Sequence, residues 1–192
     1  MTTELVTALI LAGGRATRLG GVDKRELVIE GRTIFERQVA VLAPWVVEIV
    51  VSSGRDVPGY RTVADAVVDG GPLAGIAAGL EAATTAWVLV VAGDMPYLAG
   101  DVIALILGQL DPGLDAVGIR VGALPEPLFC ALHRETAFAA VSRMLAAGTR
   151  KASRLLTDAG LRVAWIDEAA LRAVDPSLRS LGSVNVPADL DG

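Results

Sequence analysis

Leu5-Val6-Thr7-Ala8-Leu9-Ile10-Leu11 runs directly into Ala12-Gly13-Gly14-Arg15-Ala16-Thr17-Arg18-Leu19-Gly20-Gly21-Val22-Asp23-Lys24. The first part is an apolar run of strand length and reads as a strand buried on both faces. The second part gives up side chains for glycine and carries cations, Arg18 and Lys24 among them. Glycine lets backbone N–H groups approach an anion closely, and the cations neutralise its charge. A loop of this composition, leaving a buried strand, points to a triphosphate site. The lysine adds weight, because of 17 Lys and Arg residues only Lys24 and Lys151 are lysines.

Outward from this stretch the chain alternates strand and helix patterns. Thr33 and Glu36 fit a capping box that opens a helix over about 34–42. Val46–Ser52 reads as a second buried strand and Arg61–Val63 as a short third. Pro72 opens a helix carrying Leu73, Ile76, Ala77 and Leu80, and Gly71, Gly75 and Gly79 recur every four residues, giving a face that can lie close on a sheet. Trp87–Ala92 is the clearest strand and ends in Gly93-Asp94-Met95-Pro96. A helix is predicted over about 101–110 with Asp101 as its cap, then strands at 115–121 and 127–133. Helices near 134–147 and 151–159 precede a strand at 161–166.

This alternation predicts an α/β fold, a three-layer α/β/α sandwich around a mostly parallel, Rossmann-like sheet. No repeat, low-complexity segment or long linker divides the chain, so residues 1–192 are expected to form a single domain. In such sheets ligands bind beyond the carboxyl ends of the strands. That rule sets the glycine loop, Ser52-Ser53 and Asp94 on one rim.

Composition removes other classes. At 53% hydrophobic residues a membrane protein has to be considered, yet no uncharged apolar run reaches the roughly 18 residues that a spanning helix needs. The start, Met1-Thr2-Thr3-Glu4, lacks the basic region of a signal peptide. The expected location is cytoplasmic. A single cysteine, Cys130, excludes an internal disulfide and reads as core. The net charge of −5, without a basic tract, argues against nucleic acid as a partner. The lone histidine, His133, is given no catalytic role.

The glycine loop is neither a Walker A loop nor a dinucleotide fingerprint, since neither G-x-x-x-x-G-K-[ST] nor G-x-G-x-x-G occurs in the chain. On residue type alone, Asp94 is either a turn residue after a strand or a carboxylate for Mg²⁺. Arg150-Lys151 is either a solvated pair or an anion contact. Ser52 is either the close of a strand or a ligand contact.

The pattern L-A-G-G-x-x-x-R-x-G-G-x-D-K resembles the signature of nucleotidyltransferases with the nucleotide-diphospho-sugar transferase-like fold. Asp23-Lys24, where sugar-phosphate relatives carry Pro-Lys, is similar to the molybdenum cofactor guanylyltransferase branch. Asp65 and Asp69 with Gly71-Pro72-Leu73-Ala74-Gly75 resemble that family's D-x-G-P-L-A-G segment, and Gly93-Asp94-Met95-Pro96-Tyr97 its metal loop. Glu126-Pro127-Leu128-Phe129 with His133-Arg134 resembles its Q/H-P-L…Y-R strand, and 183–190 its terminal N-x-N-T-P-x-D-L. Ser52, Glu126, Ser183 and Val186 depart from the family's usual residues.

The resemblance implies transfer of GMP from GTP to the terminal phosphate of Mo-molybdopterin, with Mg²⁺ held by Asp94. It implies catalytic roles for Arg18, Lys24 and Asp94. It implies nucleotide contacts from Leu11, Ala12, Gly13, Gly14, Lys24, Ser52, Asp65, Gly71, Pro72, Leu73 and Asp94. Acceptor contacts fall to Arg150, Lys151 and Asn185. It also admits cofactor-assembly proteins or molybdoenzyme chaperones as partners, and no membrane. A CTP-dependent molybdopterin cytidylyltransferase, a sugar-phosphate nucleotidyltransferase and a non-catalytic nucleotide-binding module remain as alternatives.

Overall fold

The computed structural model describes residues 6–12, 26–65, 67 and 70–184. Strands β1 (Val6–Leu11), β4 (Glu48–Ser52), β5 (Arg61–Val63), β6 (Trp87–Ala92), β7 (Ala116–Val121), β8 (Leu124–His133) and β9 (Val163–Ile166) form one sheet in the order β5-β4-β1-β6-β8-β7-β9. β2 (Val28–Ile29) and β3 (Arg32–Thr33) form a separate hairpin. Helices α1 (Ile34–Leu42), α2 (Pro72–Ala82), α3 (Gly100–Leu107), α4 (Arg134–Ala146), α5 (Leu155–Asp158) and α6 (Glu168–Val174) cover the sheet.

Alternation along the strands builds two cores. On β1, Ala8 and Ile10 face a layer with Leu42 of α1, Val102, Ile103 and Ile106 of α3, and Leu171 of α6. Leu9 and Leu11 face the opposite layer, with Leu73, Ile76 and Leu80 of α2 and Ala137 and Val141 of α4. Every residue of β1 and β6 is buried, as continuous apolar strands require of a sheet covered on both sides.

β1 is parallel to β4 and β6, and β4 is parallel to β5. β8 is antiparallel to both its neighbours, β6 and β7. The cause is local: β7 and β8 are joined only by Gly122-Ala123, with Gly122 at φ 58°. So short a connection can make only a hairpin, whereas a parallel return needs a crossover. The β7–β8 register slips between Gly118, opposite Cys130, and Ile119, opposite Glu126. Residues 127–129 therefore bulge from β8, at the point where Pro127 has no N–H to give to a ladder.

Several boundaries differ from the sequence reading. The capping box at Thr33 and Glu36 is present in full. Asp101, however, is not a cap: the N-cap of α3 is Ala99, with no side-chain cap bond, and Asp101 lies in the first turn. The expected helix over 151–159 is a 3₁₀ turn, Ala152–Arg154, followed by the single turn of α5. The β2–β3 hairpin and α6 carried too few residues to stand out as patterns. The hairpin turns on Glu30 and Gly31, at φ 50° and 80°, in place of the commoner Asn-Gly pair. Cys130 is fully buried, and burial pushes its thiol up to about 12, well away from nucleophilic use. Among the described residues no helix is long and apolar enough to cross a membrane.

Candidate active site

The carboxyl ends of β4, β1 and β6 lie abreast. Leu11 is opposite Ser52 on one side and Ala92 on the other. Beyond that register the ladder continues through Ala12 N–H to the Ser52 carbonyl (2.9 Å) and Gly93 N–H to the Leu11 carbonyl (2.9 Å). Two of the predicted regions, Ser52 and Asp94, thus meet the exit of β1, which leads into the glycine loop. Gly93 is required here: a Cβ would stand 2.8 Å from the Leu11 carbonyl oxygen and 3.2 Å from Ala12 Cα.

Ser52 and Asp65, named separately in the sequence, are partners. The buried Ser52 hydroxyl donates to Asp65 Oδ1 at 2.9 Å, and Asp65 itself is exposed. α2 packs over this pair through Gly75, where a Cβ would stand 2.6 Å from Ser52 Oγ and 3.3 Å from Asp65 Oδ1. Ahead of α2, Gly71 is the N-cap at φ 64°, with Pro72 following at the first helical turn. The Arg150 carbonyl lies against Gly71, 3.1 Å from where a Cβ would be. Arg150 and Lys151, both exposed, are therefore brought beside the start of α2, some eighty residues away in sequence.

Two predicted nucleotide contacts are restricted by packing. Leu73 is 0% exposed and Leu11 9% exposed, both within the core beneath α2. Leu73 offers no surface to a ligand and Leu11 very little. Gly13, Gly14, Arg18, Lys24, Asp69 and Asn185 lie outside the described residues. The segment leading to Asn185 is tied to the rim: Val184 N–H donates to the Asp94 carbonyl at 2.9 Å.

Asp94 is half-buried just beyond β6. The β6–β8 register ends at Val91 and Phe129, and beyond it Glu126 lies near enough to Asp94 to feel its charge. Glu126 accepts from Leu128 N–H at 3.3 Å. Burial, reinforced by the negative charge of Asp94, raises its carboxyl above the usual range, against the pull of that hydrogen bond. Among the described residues no three His, Cys, Asp or Glu groups form a metal cage. One or two carboxylates at a rim suit Mg²⁺, a hard ion that takes oxygen ligands and completes its shell with phosphate and water.

Sequence reasoning passed over three residues around Asp94. Arg37 donates from Nε to the Pro96 carbonyl at 3.1 Å, and Arg179 lies 3.7 Å above the Tyr97 ring. Gln38, fully buried, donates to the carbonyls of Ala92 (2.7 Å) and Met95 (3.0 Å). A signal for Gln38 was present in the spacing. Ile34, Gln38 and Leu42 follow i, i+4, i+8, so a polar side chain occupies the apolar stripe of α1.

Comparison with known proteins identifies the family and the fold. The MobA-like NTP transferase domain matches residues 8–163. A molybdenum cofactor guanylyltransferase from Desulfosudis oleivorans is 33% identical, over 98% of this chain and 94% of its own. The crystal structure of molybdopterin-guanine dinucleotide biosynthesis protein A from Archaeoglobus fulgidus superposes with a TM-score of 0.78 at 26% identity, covering 96% of this chain and 95% of that one. The 2-C-methyl-D-erythritol 4-phosphate cytidylyltransferase of Thermus thermophilus shares the fold, with a TM-score of 0.72 at 20% identity over 98% of this chain and 96% of that one. With a domain match across most of its length and a relative similar from end to end, the chain belongs to the molybdenum cofactor guanylyltransferase family, built on the MobA-like NTP transferase domain.

Proposed function

We propose that this protein transfers GMP from GTP to the terminal phosphate of Mo-molybdopterin and releases pyrophosphate. The observation that carries this reading is the rim itself. The Ser52–Asp65 pair, the exit of β1 and Asp94 stand side by side, and the chain around Val184 is bonded to the Asp94 carbonyl.

In the transfer, an oxygen of the acceptor phosphate forms a bond to the α-phosphorus of GTP. The bond from that phosphorus to the β-phosphate oxygen breaks, and pyrophosphate leaves with the electron pair. The attacking oxygen is already anionic near neutral pH, so no general base is required. The protein must reduce the repulsion between two anions and hold them in line. Arg18 and Lys24 serve the triphosphate and the departing pyrophosphate, one as a bidentate clamp and one as a point charge. Leu11, Ala12, Gly13, Gly14, Gly71, Pro72 and Leu73 serve the nucleotide, the first three through their backbone, and Ser52 with Asp65 meets the nucleoside. Asp94 holds Mg²⁺, which when bound supplies positive charge to the α-phosphate. Arg150, Lys151 and Asn185 receive the anionic acceptor.

The test is pyrophosphate release from each NTP in turn, with Mg²⁺ and Mo-molybdopterin. Release with GTP supports the reading. Release with CTP alone would reassign the chain to cytidylyl transfer, a chemistry the shared fold accommodates equally. GTP binding without turnover on any molybdopterin acceptor would favour a non-catalytic role.

A further inference from the structure

Gln38 is 0% exposed, on the same stripe of α1 as Ile34 and Leu42. An amide in that position is costly unless it is bonded, and an apolar residue would fill the space without this cost. Both Nε2 hydrogens are committed to one short turn, through the Ala92 and Met95 carbonyls at 2.7 and 3.0 Å. Those carbonyls bracket Gly93-Asp94. The other end of the amide, Oε1, is buried without a hydrogen-bond partner among the described residues. Turning the amide over would set its oxygen against two carbonyl oxygens, so the donors must face the turn. One acceptor is thus left unsatisfied while the Asp94 turn is held from both sides. The same turn is tied by Gly93 N–H to the Leu11 carbonyl and by the Asp94 carbonyl to Val184 N–H. Gln38 grips it through a side chain buried in a different element.

We propose that Gln38 is a positioning residue for Asp94, its two hydrogen bonds across Ala92–Met95 fixing where the Asp94 carboxylate stands on the rim. This rests on the reading of Asp94 as the metal-holding carboxylate. Supports of this kind behind a ligand are commonly worth about 10- to 100-fold in metal affinity or activity.

The experiment compares Gln38→Met and Gln38→Leu, which keep most of the volume and remove both donors, so that one folded variant suffices. Leu42→Ala, one turn further along α1, controls for general loss of stability. Three quantities are read: Tm, the kcat and KM of pyrophosphate release, and Mn²⁺ affinity in the presence of GTP by electron paramagnetic resonance. The expected result is a loss of about tenfold in both kcat and Mn²⁺ affinity for the Gln38 variants, with KM within about threefold. Leu42→Ala is expected to lower Tm while changing neither quantity by more than about twofold. In an Asp94→Asn background the Gln38 substitution should add less than about twofold, because its effect runs through Asp94. Wild-type kcat and Mn²⁺ affinity in a folded Gln38 variant, or fully additive losses with Asp94→Asn, would overturn the proposal while leaving the metal role of Asp94 intact. Wild-type turnover and Mn²⁺ affinity in Asp94→Asn itself would remove that role, and the role of Gln38 with it.

Discussion

Ser52 and Asp65 are thirteen residues apart, and each is an ordinary loop residue when taken alone. Joined by a 2.9 Å hydrogen bond, they present one exposed carboxylate held from behind by a buried hydroxyl. Ser52→Ala removes that support and leaves the fold in place. A hydrogen bond to a charged group contributes about 1.5–3 kcal/mol, so KM for the nucleotide should rise about tenfold or more with little change in kcat, measured by steady-state kinetics. Asp94 should behave differently, since its carboxylate acts on charge in the reaction. Asp94→Ala and Lys24→Ala are each expected to cut kcat by about 100-fold or more while circular dichroism remains native. Near-wild-type turnover in either variant takes that residue out of the mechanism. Asp94 was readable from its place after a buried strand and before a proline. Glu126 was noticed only as a departure in a motif, because its proximity to Asp94 arises from two strands distant in sequence.

At the scale of elements, α2 decides how closely the nucleotide rim is assembled. Its four-residue glycine spacing was visible in the sequence, and its consequence appears in the packing. At Gly79 an added Cβ would fall inside the Leu9 side chain, and at Gly75 it would strike Ser52 Oγ. Gly79→Ala should therefore lift α2 from β1, with an overpacking cost of about 1–3 kcal/mol, seen as a lower midpoint in urea at unchanged slope. Gly71, which begins the same series, serves another purpose as the N-cap at positive φ. β7 and β8 teach a complementary lesson. Their apolar content was legible, but β8 begins at Leu124 and not at the expected 127, and it is the resulting two-residue connection, Gly122-Ala123, that makes the pair a hairpin. The bulge at 127–129 was not legible, because it depends on how β7 and β6 compete for the register of β8.

Across the whole molecule, the far side of the sheet is secured by one ion pair. Asp115, almost fully buried, accepts from Arg162 Nε at 2.9 Å, from its Nη2 at 3.0 Å and from its backbone N–H at 2.9 Å. These bonds dock β9 beside β7, and they hold the Asp115 carboxyl far below the usual carboxylate range. A depressed carboxyl stabilises the fold at pH values above its ordinary titration range, and the contribution is lost as pH falls below that range toward the depressed value. Asp115→Asn should accordingly lower Tm by several degrees near neutral pH. The difference from wild type should shrink progressively as the pH is taken below about 4, followed by differential scanning calorimetry. A constant difference across that range would mean that the pair contributes through packing and not through charge.

Taken alone, the sequence determined the alternation of strands and helices, the burial of β1 and β6 on both faces, the capping box at Thr33, and the family that the glycine loop and its companion motifs resemble. Each of these is local, set by periodicity, residue volume or a hydrogen bond within one turn. Only the tertiary structure decided that Ser52 bonds Asp65, that the Arg150 backbone lies against Gly71, that Val184 and Gln38 grip the Asp94 turn, and that Leu73 is enclosed in the core. Those relations join residues from thirteen to ninety positions apart, and strand register and helix docking bring them together, which no short stretch of chain encodes by itself.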